Sequence, residues 1–303
     1  MVSLKDIKTR IQSVKSSRKI TSAMMMIASS KLRKVEKIIE NLLPYEEKLY
    51  QLMTLFVHSQ QEKLSSPFAE KRPVKRVAIL AFSSNSGLAG RFNDEVGELL
   101  EKTVEEYRSL GKENVQVYAI GSKVQEVAAR LGYENSEQLR TVADKPTYDA
   151  LQELQAQLTD AFLKKKIDKV ELIYHHYKSK RVQKLVREDY LPIVLGGNGD
   201  GNGDNNGEPA ERNGDSNGTD YIIEPDSRTI MEVLIPKSLK LKLYTVHVDT
   251  VASEHAARTI AMQTATDNAD DLLDELTLQY NTMRQQSITN ELLDIIGGSF
   301  GRK

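Results

Sequence analysis

A glycine-rich turn after an apolar run is where phosphate chemistry would sit in this chain. Val74 to Phe82 reads as a buried strand, and Ser83-Ser84-Asn85-Ser86-Gly87-Leu88-Ala89-Gly90-Arg91-Phe92-Asn93 follows it. A helix beginning near Asp94 would aim its N-terminal N–H groups at a bound anion. No Lys-Ser/Thr pair follows these glycines, and their spacing is not that of a dinucleotide turn. A structural tight turn is therefore the preferred reading. His175 and His176 are adjacent on an expected strand, so they point to opposite faces and do not share one metal. His58, His247 and His255 are isolated, and His255 reads as a packed helical residue. Asp200, Asn202, Asp204 and Glu211 match part of a calcium loop. Asn205 stands where that loop needs glycine, Pro209 follows and no helices flank it, which favours a linker. Neither a Ser/His/Asp set nor a carboxylate pair emerges from spacing. Cysteine is absent, which excludes disulfides, thiol switches and thiolate-ligated metals.

The elements that would position these residues are mostly long helices. From Ser238 to Ile296 there is no proline, and the first glycine is Gly297. A helix of that length spans roughly 90 Å at about 1.5 Å per residue. It must pack on another helix or on a partner. Ala252, Ala256, Ala257, Ala261, Ala265 and Ala269 let a neighbour approach closely, and Leu272, Leu273, Leu276, Tyr280 and Met283 take over further along. Near the N-terminus, Leu4, Ile7, Ile11, Val14, Arg18, Thr21, Met25, Ala28, Leu32, Val35, Ile39 and Leu42 recur every three or four residues. That is the seam of a coiled coil. Pro44 interrupts as a kink, because the same frame resumes at Leu49, Met53 and Phe56. The outer face is basic: Lys5, Lys8, Arg10, Lys15, Lys31 and Lys34 are typical of it. It is either a solvated face or one attracted to an acidic partner.

Between the helices, Val115–Ile120 reads as a second strand and Lys123–Leu131 as a short helix. Thr147 can cap a helix running to Lys166, with lysines at its C-terminus where the helix dipole favours them. Lys169–Tyr177 and Arg181–Leu195 read as further strands, possible partners in a hairpin. Alternating strands and helices imply an α/β domain with some parallel pairing. Residues 58–73 look like an exposed linker, and Gly196 to Thr219, dominated by Gly, Asn and Asp, cannot bury apolar surface. Tyr221 to Pro225 resumes structure, Asp226 can cap a helical segment, and Pro236 precedes the long final helix.

The chain has 303 residues, with 42 basic against 43 acidic, no Trp and few aromatics. Such a balance gives no overall attraction to nucleic acid. No apolar run is long enough to span a bilayer, and no signal-peptide core is present. A soluble, cytoplasmic protein is expected.

Two terminal helices around an α/β insert is a distinctive plan, and three blocks of residues identify it. Ile20-Thr21-Ser22-Ala23-Met24-Met25-Met26-Ile27-Ala28-Ser29-Ser30-Lys31-Leu32 resembles the N-terminal helix of the gamma subunit of F-type ATP synthase. Ser253-Glu254-His255-Ala256-Ala257-Arg258, Ala261-Met262 and Ala265-Thr266-Asp267-Asn268-Ala269 resemble that family's C-terminal helix. Ile288-Thr289-Asn290-Glu291-Leu292-Leu293-Asp294-Ile295-Ile296-Gly297-Gly298 is similar to its closing signature. The turn at Ser84–Asn93 matches less well: Asn85, Ser86 and Ala89 stand where the family usually has Asp, a basic residue and often Cys. Ser299 replaces a usual Ala, and the 196–219 segment is no interpretable family feature. Lacking Cys, the chain cannot use the dithiol switch of chloroplast relatives.

The resemblance implies an α/β fold: an antiparallel coiled coil of long N- and C-terminal helices, with a Rossmann-like α/β domain inserted between them. The expected divisions are an N-terminal coiled-coil helix at 1–57, an α/β domain at 74–195, an Asn/Gly-rich insert at 196–220, and a connecting segment with the C-terminal helix at 221–303. It implies a rotor shaft of the bacterial type, on the cytoplasmic face of the inner membrane, that couples ion-driven c-ring rotation to ATP synthesis or hydrolysis. The implied partners are the alpha and beta subunits of the surrounding ring, the epsilon and delta subunits, and the c-ring. No cofactor, metal, catalytic residue, nucleic acid or directly bound nucleotide is expected. Met24, Met25, Leu32 and Val35 are expected to pack the shaft, and Arg284, Gln285 and Thr289 to meet a loop of the beta subunit. Arg284 is the lone base between Asp267 and Ile296, and its fork of donors suits a partner carboxylate. The competing reading is an α/β enzyme or nucleotide-binding module that dimerises through its terminal helices.

Overall fold

A computed structural model describes residues 3–59, 66–133, 137–193 and 227–300, without the side chains of 54–59, 137–138, 227–228 and 297–300. The partial calcium loop, the 196–219 segment, Tyr221 to Pro225, Asp226 and the side chain of His58 lie outside the described residues.

Helix α1 spans Leu4–Ser59 and contains Pro44. At about 1.5 Å per residue it is roughly 84 Å long. Its seam explains why it stays helical through the proline. Ile7, Ala28, Leu32, Val35, Leu42, Leu49 and Met53 are buried on either side of Pro44, and their packing outweighs one lost backbone bond. Helix α6 spans Ser227–Phe300 and contains Pro236. This corrects the expectation that Pro236 precedes the helix. Met231, Ile235 and Leu239, spaced four apart, are all buried, and the Ser238 hydroxyl donates to the Ile235 carbonyl at 2.9 Å. Burying three large side chains offsets a break of about 3 kcal/mol.

The two helices run antiparallel. Arg18 pairs with Asp270, Thr21 shares a 2.8 Å hydrogen bond with Thr266, Ser29 meets Thr259 at 3.5 Å, and the Lys237 ammonium lies over the Tyr45 ring at 5.9 Å. Contacts advance along α1 as they retreat along α6. The polar seam positions Arg18 and Thr21 are thus met by polar groups.

The inserted domain is a four-stranded sheet in the order β2-β1-β3-β4. Strand β1 is Val77–Phe82, β2 Val115–Ile120, β3 Lys169–Ser179 and β4 Val182–Leu191. β1 pairs in parallel with β2 and β3, while β3 and β4 form an antiparallel hairpin. The expected strand from Val74 begins only at Val77. The N–H groups of Lys75 and Arg76 are taken by the Asp168 carboxylate, at 3.1 and 2.9 Å, rather than by a neighbouring strand.

Alternation along β1 divides the core. Val77, Ile79 and Ala81 face one apolar cluster with Val96, Leu100, Val124 and Val127. These come from α2 (Phe92–Glu106) and α3 (Ser122–Arg130). Ala78, Leu80 and Phe82 face the other, with Leu154, Leu158 and Phe162, and with Ile235, Leu239 and Leu243 of α6. A short helix α4, Glu137–Val142, has no counterpart in the sequence expectations. Helix α5 is Gln152–Leu163, shorter than the expected Thr147-to-Lys166. Tyr148 packs edge-on against Tyr244 at 5.8 Å, and Asp149 binds the Lys240 ammonium at 2.6 Å. Tying that segment to α6 delays the start of the helix.

Candidate functional site

Three places combine polar side chains with the shaft. The first is the glycine-rich turn. Leu88 and Gly90 adopt left-handed backbone, with φ of 63° and 59°. The Ser84 hydroxyl donates to the Ser86 carbonyl at 2.7 Å, and Asn93 Oδ1 accepts the Ser84 N–H at 3.1 Å. Asn85 Oδ1 accepts the Ser122 N–H at 2.9 Å, and its amide donates to the Arg140 carbonyl at 2.9 Å. From α6, one guanidinium nitrogen of Arg258 donates to the Ser86 hydroxyl at 2.7 Å and to the Ser86 and Gly87 carbonyls at 3.2 and 3.3 Å. Its other nitrogen pairs with Glu254, one helical turn away. The turn therefore offers oxygens to a cation. A phosphate cradle needs the opposite polarity.

The second place is a buried polar junction that the sequence did not point to. Glu46 of α1, Lys242 and Asp249 of α6, Glu188 of β4 and Tyr174 and His176 of β3 meet where both helices cross the sheet. Lys242 lies 3.0 Å from Glu188, and His176 Nδ1 lies 2.6 Å from Asp249. Burial pushes the Glu46 and Asp249 carboxyls above the usual range, against the pull of Lys242 and His176. Burial also works against the charge on Lys242, but Glu188 and Glu46 outweigh it and hold its pKa high. Alternating charge on four separate elements leaves no local signal in the sequence.

The other described histidines are consumed by packing. His175 faces away from His176: its Nε2 donates to Glu95 at 3.1 Å and its ring stacks on Phe92 at 4.6 Å. Burial lowers its pKa, against the pull of Glu95. His247 Nε2 donates to the Ala143 carbonyl at 3.2 Å, and burial holds its pKa down at about 4. His255 is likewise at about 4, through burial and the nearby Lys31 and Arg258 cations. Among the described residues no group of His, Asp and Glu side chains is placed to hold a metal.

The third place is the end of α6. Ile7 and Arg10 line a groove with Leu276, Thr282 and Met283, and α6 continues past that point to Phe300. The overhang is roughly 25 Å at about 1.5 Å per residue. Arg284, Gln285 and Thr289 are exposed on it, and the Thr289 hydroxyl donates to the Gln285 carbonyl at 2.9 Å. Around them Ile288, Leu292, Leu293, Ile295 and Ile296 are each at least half exposed. Further down the shaft, Leu32 and Val35 are buried and Met24 and Met25 half-buried. Among the described residues no helix is long and apolar enough to cross a membrane.

Comparison with known proteins agrees with this architecture. The family described as ATP synthase matches residues 3–300. The ATP synthase gamma chain of Bacteroides fragilis is 53% identical over 299 residues, covering 99% of both chains. That of Parabacteroides distasonis is 41% identical over 299 residues, again covering 99% of each. Among solved structures, a chain of the Euglena gracilis mitochondrial ATP synthase, in an assembly of OSCP, F1 and c-ring, aligns with a TM-score of 0.59 at 15% identity, covering 98% of this chain and 94% of that one. A chain of the Tetrahymena thermophila mitochondrial ATP synthase central stalk and c-ring aligns at 0.54 and 15% identity, covering 81% of this chain and 99% of that one.

Proposed function

This chain belongs to the ATP synthase gamma chain family, and from that premise we propose that it is a non-catalytic rotor shaft. It couples c-ring rotation to ATP synthesis or hydrolysis at sites carried by the alpha and beta subunits. The observation that carries this reading is the overhang of α6. A paired, tightly packed shaft ends in a single helix whose side chains are exposed, an end made to be surrounded. The α/β domain sits at the other end of the shaft, on the side of the c-ring, with the epsilon and delta subunits as further partners. The assembly would lie peripherally on the cytoplasmic face of the inner membrane.

Met24, Met25, Leu32 and Val35 pack the shaft in this reading. Arg284, Gln285 and Thr289 grip the ring, the guanidinium binding a carboxylate of a beta-subunit loop. Gln285 and Thr289 lie four residues apart on one helix face and add neutral hydrogen bonds. The test is the double variant Arg284→Ala with Gln285→Ala. Circular dichroism should show the chain folded, while proton-driven ATP synthesis by the reconstituted complex falls. Unchanged assembly and synthesis would remove the proposed grip. Failure of the wild-type chain to co-purify with a hexamer of alpha and beta subunits would remove the shaft reading itself.

A further inference from the structure

Two basic stretches far apart in sequence meet at one edge of the α/β domain. Lys71, Lys75 and Arg76 precede β1, and Lys164, Lys165 and Lys166 follow α5. The Arg76 guanidinium donates to the Lys165 carbonyl at 2.6 Å, and Arg72 donates to the Phe162 carbonyl at 3.0 Å while lying 4.3 Å from that ring's centre. These contacts hold the stretches side by side. All six cations are exposed.

Few carboxylates answer them. Asp160 takes Lys164 at 2.9 Å, and Glu70 lies 3.7 Å from Lys165. The Asp168 carboxylate is buried and accepts backbone N–H groups. Among the described residues Lys71, Lys75 and Lys166 have no ion-pair partner. The negative end of the α5 dipole accounts for lysines just past its last turn. It does not account for Lys71, Lys75 and Arg76, which belong to another segment.

The position of this edge gives it a direction. Tyr190, beside the start of β3, bonds the Leu239 carbonyl at 3.1 Å. His175, further along β3, meets Ser253, and the turn after β1 meets Arg258. Strands β1 and β3 thus climb with α6 toward the overhang, and the basic edge lies at their starting ends, facing the other way. We propose that this edge is an electrostatic docking surface for the anionic phosphate headgroups of a membrane leaflet. The inference rests on the shaft reading, which turns that end toward the c-ring and so toward the bilayer. Lysines bind such a surface as point charges without fixed geometry, and their attraction is confined to about a Debye length.

The experiment is co-sedimentation of the complex of this chain with alpha and beta subunits, using vesicles with and without phosphatidylglycerol. The wild type should bind the anionic vesicles in low salt, release in high salt, and ignore pure phosphatidylcholine. Each cation near an anionic leaflet multiplies binding about fivefold, so Lys71→Glu with Lys75→Glu and Lys166→Glu should weaken it at least tenfold. Melting temperature and co-purification with the ring should stay unchanged in that variant. Equal binding by variant and wild type, or no preference for phosphatidylglycerol, would overturn the proposal. So would binding that appears only after residues 196–219 are deleted, because Asp200, Asp204, Glu208, Glu211 and Asp215 would then be the edge's native counter-charge. Co-purification without vesicles reports the shaft reading separately.

Discussion

Leu32→Asp is the sharpest probe of the shaft. Leu32 is 3% exposed and shares a cluster with Val35, Leu42, Leu241, Val248, Ala252 and Ala256. Truncation to Ala removes buried methyl groups and leaves a cavity that two long helices cannot easily close, at a cost of about 3 kcal/mol. Aspartate adds a carboxylate among aliphatic side chains with no donor built to receive it. That raises the loss to about 4 kcal/mol, with part of the charge escaping by protonation. Lys34 lies two residues away and is exposed, so Lys34→Asp should change stability by less than about 0.5 kcal/mol. Urea denaturation of each variant measures the difference, and amide exchange along α1 and α6 locates it. Protection should fall first around Leu32, Val248 and Ala252. Equal losses in the two variants, or a loss below about 1 kcal/mol for Leu32→Asp, would mean that the seam is misassigned.

Other perturbations test the domain and its junction with the shaft. Ser86→Ala removes a hydroxyl bonded to the Arg258 guanidinium and should cost about 1.5 kcal/mol, with faster amide exchange confined to 84–90; exchange unchanged there would show that the clamp carries nothing. Gly121→Ala should be far more damaging than Gly87→Ala. At Gly121 φ is 101° and a Cβ would press on the Ser83 carbonyl, whereas Gly87 opens onto free space, and thermal melting of the two variants decides it. His247 and His255 are held neutral with folded pKa values of about 4. The unfolded chain, with ordinary histidines near 6.5, binds protons that the folded chain refuses. Their stability contribution is complete above about pH 6.5 and is lost as pH falls toward 4, by about 3 kcal/mol for fully buried His247. The raised carboxyls Glu46 and Asp249 act in the opposite sense, so the readout is the difference between wild type and His247→Gln in urea titrations across that window. An identical pH slope in the two proteins would refute the assignment.

Much of this architecture could be read from the chain, and the exceptions have physical causes. The α1 seam was visible because a single helix repeats one spacing for many turns. Strand β1 was visible because burial on both faces requires an unbroken apolar run. The start of α6 was not, because a local rule about proline lost to the burial of Met231, Ile235 and Leu239 on distant partners. The Arg258 clamp was half legible: the motif on α6 and the turn at Ser86 could each be singled out, but their meeting depends on how the domain docks. The junction of Glu46, Glu188, Lys242, His176 and Asp249 was not legible at all, since each residue taken alone looks like an ordinary surface charge.

That junction and the clamp explain why α6 changes character along its length. From Thr245 to Ala256 every side chain is buried, polar and apolar alike. A helix facing one neighbour would show an apolar stripe and a wet side. Here α1 covers one side and the sheet with its glycine-rich turn covers the other, so Asp249, Glu254 and Arg258 are buried and must find partners. Asp249 and Arg258 find them across element boundaries, in His176 and in the turn oxygens, and Glu254 finds Arg258 one turn along the same helix. Beyond Arg258 the domain ends and only α1 remains, so exposed positions return. Past Met283 α1 ends as well, and the helix is bare. Burial on two sides, one side and none therefore marks a grip on the domain, a stiff shaft and a tip. The direct bonds from Arg258 to Ser86 and from His176 to Asp249 tie the shaft to the domain with directional contacts. A rotation of one then bears on the other through oriented hydrogen bonds as well as through greasy packing, which resists separation better than it resists sliding.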